Sequence, residues 1–82
     1  MPTSSSTNLR RLQEQLGGEL VTELVAGVDD ADLEAALLDE NDPLARGLHT
    51  AVQAAVDAGR NLARQIVAAA LERELMRRRG EP

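Results

Sequence analysis

From Pro43 to Arg79 the apolar residues keep one helical rhythm without interruption. At about 100° per residue, Leu44, Leu48, Ala51, Val52, Ala55, Ala58, Gly59, Leu62, Ile66, Ala69 and Ala70 share a face, which Val56, Ala63 and Val67 widen to roughly half the cylinder. The pattern predicts one long helix over 43–79, which would run roughly 55 Å. Asp42-Pro43 opens it with a capping residue followed by proline at the first helical position. Upstream, Leu9, Leu12, Leu16, Leu20, Leu24 and Val28 recur at steps of three or four. They predict a first helix over about 9–26, capped by Thr7 or Asn8 and stopped near Gly27. Asp30 to Leu38 predicts a short second helix, with carboxylates in the first turn where the helix dipole favours them. Residues 1–7 read as a disordered tail and 80–82 as a second tail, flanking a single helical domain over 8–79. No segment carries the period of a strand.

Gly17-Gly18 breaks the rhythm of the first helix, where two glycines cost about 2 kcal/mol relative to alanine. The pair predicts a kink or a short break. The competing reading is the close approach of a partner helix.

Composition decides how the stripe is buried. The 82 residues include no Phe, Tyr, Trp or Cys, and the large apolar side chains are 13 Leu, 6 Val and Ile66, alongside 13 Ala. A domain this small, without disulfides and with a single His, is marginal alone, which leaves oligomerisation as the means of stabilisation. The predicted fold is therefore all-α: two shorter N-terminal helices plus one long C-terminal helix, completing a four-helix or larger bundle as a homodimer. The predicted interface is Leu44, Leu48, Val52, Ala55, Gly59, Leu62, Ile66 and Ala70, with small residues allowing close packing.

The formal charge is −5, with 14 acids against 9 arginines and no Lys, a composition that fits a GC-rich bacterial genome. Such a chain is a poor candidate for nucleic-acid binding. The longest apolar run, Ile66 to Leu71, is too short to span a bilayer, so the chain reads as soluble and cytoplasmic. Residues 29–42 hold seven acids and no base, while Arg73, Arg77, Arg78 and Arg79 gather at the far end of the long helix. These suggest electrostatic contacts through Asp29, Asp30, Asp32, Arg73, Arg77 and Arg78. Since a straight helix would hold the two sets roughly 45–50 Å apart, the distribution favours an antiparallel dimer in which they meet between chains.

Candidate chemistry is sparse. The acidic run fails as a calcium loop, because Pro43 and Leu44 stand where a ligand and the turn glycine belong. Zinc lacks a second His or Cys, and Ala45 and Gln53 occupy the positions four residues either side of His49. The serines lack a base, so a non-enzyme with no cofactor is expected. His49 alone suggests a reaction. The string Leu44-Ala45-Arg46-Gly47-Leu48-His49-Thr50-Ala51-Val52 resembles the phosphoacceptor box of one class of bacterial sensor histidine kinases, with Gly47 and Thr50 standing where that box carries acids. The resemblance covers about nine residues, and it implies a dimeric four-helix bundle with His49 as phosphoacceptor. The expected function is assembly or adaptor work by protein–protein contact through the long helix, with the protein itself as first partner and possibly another protein as well. The alternatives are phosphotransfer through His49 and a phage or plasmid scaffolding role.

Overall fold

In the computed structural model, which describes the backbone of residues 3–80 and the side chains of residues 8–80, the chain forms four α-helices and no strand. They are α1 (Thr3–Leu24), α2 (Asp30–Leu38), α3 (Pro43–Val56) and α4 (Arg60–Arg78). The single helix over 43–79 is thus two helices. Asp57 adopts the left-handed conformation (φ 55°, ψ 41°) and Gly59 is extended (φ −71°, ψ 170°), reversing the chain into a helical hairpin. Aspartate is among the few side chains that visit this region readily. The molecule measures 44 Å along its longest axis, short of the roughly 55 Å of the unbroken helix.

The reversal lets one stripe bury itself. Ala45, Leu48 and Val52 of α3 meet Ala63, Ile66, Val67, Ala70, Leu71 and Leu75 of α4, with Val21 and Val25 from the α1 side and Leu33 and Ala36 from α2 completing the core. Helix α4 packs against all three others and α3 likewise, while among the described residues α1 and α2 do not pack on each other. Helix α1 runs parallel to α4: Arg10 donates to Gln65 (3.1 Å), and fifteen residues on Arg78 reaches Val25. It runs antiparallel to α3, as Gln13 donates to the Val56 carbonyl (2.8 Å) while Gly17 faces Val52.

Helix α1 is continuous through Gly17-Gly18, so the predicted kink or break is replaced by the close-approach reading, satisfied within one chain. A Cβ at Gly17 would stand 2.9 Å from Ile66 Cγ2 and 3.3 Å from Val52 Cγ1. At Gly18 it would meet only the end of the Arg73 side chain, at 2.8 Å. Because α1 begins at Thr3, neither Thr7 nor Asn8 is a cap, and residues 3–7 continue the helix where the pattern places a tail. Residues 1, 2, 81 and 82 of the expected tails lie outside the described residues. The predicted cap at Asp42 is present, its carboxylate accepting from the Leu44 amide (3.0 Å).

One corner is fastened electrostatically. Glu74 is 3 % exposed and accepts from Arg77 (3.1 and 2.5 Å) and Arg78 (2.8 Å). Arg78 also donates to the carbonyls of Val28 (2.5 Å) and Val25 (2.8 Å) in the turn between α1 and α2, and pairs with Asp30 (2.9 Å). Arg79 pairs with Glu34. The acidic segment and the C-terminal arginines therefore meet inside one chain, which removes the charge argument for an antiparallel dimer.

Two predictions follow from this packing. Gly17→Ala should destabilise by about 1–3 kcal/mol through overpacking against Ile66 and Val52, whereas Gly47→Ala, with nothing within 4 Å, should stabilise by about 1 kcal/mol through helix propensity. Urea melts of both variants check the opposite signs. Hydrogen bonds from Arg77 and then Arg78 hold the Glu74 carboxyl below its ordinary range. Its stabilisation is present above about pH 4.3 and lost as pH falls through the depressed folded value. Glu74→Gln should cost about 1–3 kcal/mol at pH 7, and the gap to wild type should close on acidification.

Candidate functional site

Helix α1 turns its most apolar face outward. Taking about 100° per residue, Leu9, Leu12, Leu16, Leu20 and Leu24 fall within an arc of about 120°, whose centre lies about 130° from that of Gly17, Gly18, Val21 and Val25. The second set is buried and the first is not: Leu9 is 59 % exposed, Leu12 50 %, Leu16 47 % and Leu24 50 %. The Gln13 bond to Val56 shows that this face borders α3. Single exposed leucines are ordinary, but a row along one helix is a contiguous apolar patch of the kind that marks contact surfaces.

A second feature lies between α3 and α4. The antiparallel hairpin sets Arg60 and Arg64 of α4 beside Arg46, His49, Thr50 and Gln53 of α3, in an open groove of about 480 Å³ whose rim includes Glu40 and Asn41. Arg64 pairs with Glu40 at 2.7 Å. His49 is half-buried, and its pKa is lowered first by burial and then by the Arg64 charge, with Glu40 acting in the opposite direction. Both of the larger influences favour the neutral imidazole, and the guanidinium groups of Arg46, Arg60 and Arg64 line the same groove.

The residues named from sequence are dispersed. Leu48, Val52, Ile66 and Ala70 are covered by the chain's own core, Leu44 and Leu62 are half-buried, and Ala55 and Gly59 are exposed. Among the charged set, Asp30, Arg77 and Arg78 belong to the α4 corner. Asp29, Asp32 and Arg73 are exposed and form no ion pair among the described residues. Sequence reasoning missed Glu74, although its spacing of three and four from Arg77 and Arg78 is an ion-pair signal on a helix. It also missed the arginine groove, whose members come together only through the reversal at Asp57. No group of three or more His, Cys, Asp or Glu suited to a metal exists among the described residues, and none of their helices is long and apolar enough to cross a membrane.

Comparison with protein-family models, curated proteins and solved structures finds no match.

The groove makes a prediction about its histidine. Arg64→Gln removes the cation that opposes imidazolium, so the His49 pKa should rise in the variant. Imidazole proton shifts followed from pH 5 to 8 measure this, and an unchanged midpoint would show that Arg64 does not act on His49.

Proposed function

We propose that the chain is a small non-enzymatic assembly or adaptor protein that acts by protein–protein contact, associating with a second copy of itself through the leucine face of α1. The observation that carries this reading is the outward row Leu9, Leu12, Leu16 and Leu24 on a helix whose inner face is already packed. Covering the exposed half of a leucine gains about 1 kcal/mol, so a face supplied twice by symmetry provides a substantial driving force. Ala51 and Ala55 on the neighbouring α3 are small enough to let a second helix approach.

This moves the contact from the C-terminal segment, whose stripe is spent on the intrachain core, to α1. The proposal includes a cytoplasmic location and needs no cofactor. The scaffolding alternative drew on separated acidic and basic segments, and those segments pair within the chain. Phosphotransfer through His49 retains one supporting feature, a half-buried imidazole in a groove lined with arginines. Incubation with phosphoramidate followed by assay for acid-labile phosphate decides it.

Sedimentation equilibrium tests the main reading. Wild type should be a dimer at about 100 μM, and Leu12→Glu/Leu16→Glu should be a monomer with unchanged helicity, because two carboxylates would be buried unpaired in the interface. A monomeric wild type, or a double variant that remains dimeric, contradicts the proposal.

A further inference from the structure

Among the described residues, five of the nine arginines are engaged by carboxylates: Arg10 by Glu14, Arg64 by Glu40, Arg77 by Glu74, Arg78 by Glu74 and Asp30, and Arg79 by Glu34. The other four separate into two pairs. Arg11 and Arg73 line a groove between α1 and α4 that also holds Glu14 and Glu72, so that groove is balanced in charge. Arg46 and Arg60 lie in the α3–α4 groove, where with Arg64 they make three guanidinium groups against the single carboxylate of Glu40. On a chain of formal charge −5, this local excess of cation stands against the overall field.

The other groups in the groove fit the same chemistry. Thr50, Gln53, Asn41 and His49 are neutral and can donate hydrogen bonds without adding charge. Helix α4 begins beside Arg60 at Gly59, with no side-chain cap and no acid in its first turn. The groove is open and has room for more than a single ion. Guanidinium forks on two facing helices suit an anion with several oxygen acceptors, and phosphate oxygens match that geometry.

We propose that the α3–α4 groove, through Arg46, Arg60 and Arg64 with His49 and Gln53, reversibly binds a small diphosphate-bearing molecule. The site is separate from the leucine face of α1, and the proposal stands whether or not that face dimerises the chain. Binding involves no covalent step. A bound anion favours the protonated imidazole, so the His49 pKa, lowered in the free protein by burial and Arg64 and partly offset by Glu40, rises on binding, with Arg46 and Arg60 lining the same groove.

Titration of the full chain with inorganic pyrophosphate, followed by calorimetry and by the His49 imidazole resonances, tests this. Saturable binding with Kd below about 1 mM is expected, together with an upward shift of the His49 midpoint. Arg46→Gln/Arg60→Gln should weaken binding at least tenfold. Arg11→Gln/Arg73→Gln, which removes the same charge from the balanced groove, should leave binding within twofold. Tighter binding of ADP than of pyrophosphate would identify a nucleotide as the form recognised, and equal binding would identify the diphosphate alone. Absence of saturable binding by either probe, or equal weakening by the two double variants, would overturn the proposal.

Discussion

Between Val56 and Arg60 the chain turns back on itself, and the other contacts of the molecule require that turn. A chain without aromatic residues has only aliphatic area to bury, and a straight helix over 43–79 would leave most of its stripe uncovered. Reversal at Asp57 lays α3 on α4 and closes the stripe on itself. It also returns the C-terminal end of α4 to the junction of α1 and α2, where Arg78 occupies the Val25 and Val28 carbonyls. The left-handed residue is a modest local cost set against a shared core.

Much of this was legible in the sequence, but not the turn. Short helix α2, the cap at Asp42 and the all-α class follow from spacing and capping chemistry. The break escaped because the apolar rhythm stays in phase across it: Val56, Ala58, Gly59 and Leu62 continue the stripe. Asp57 and Gly59 are breaker signals only in retrospect, since periodicity does not distinguish a continuous helix from a hairpin whose arms keep register. Gly17 was legible as a close-approach site, yet sequence could not say that the approaching helices belong to the same chain.

The two candidate surfaces illustrate different limits. The leucines of α1 were visible as a row, but the direction the row faces was not. The structure buries Gly17, Gly18, Val21 and Val25, since small residues let α1 sit close to α3 and α4 where leucines could not. The arginine groove was invisible for a topological reason: Arg46 and Arg60 are 14 positions apart in the chain, and only the hairpin makes them neighbours. His49 stood out in sequence for its string of neighbours, while its surroundings are set by Arg64 from the other arm.

Because the core, the fastened corner and both surfaces rest on the reversal, its direct test is a distance. Spin labels at Gly47→Cys and Met76→Cys occupy an open position on α3 and a half-exposed one near the end of α4. In labelled chains diluted with unlabelled protein, pulsed dipolar spectroscopy should give a separation under about 25 Å for antiparallel helices packed side by side. A population near 43 Å, roughly the span of 29 residues of unbroken helix, would contradict the account.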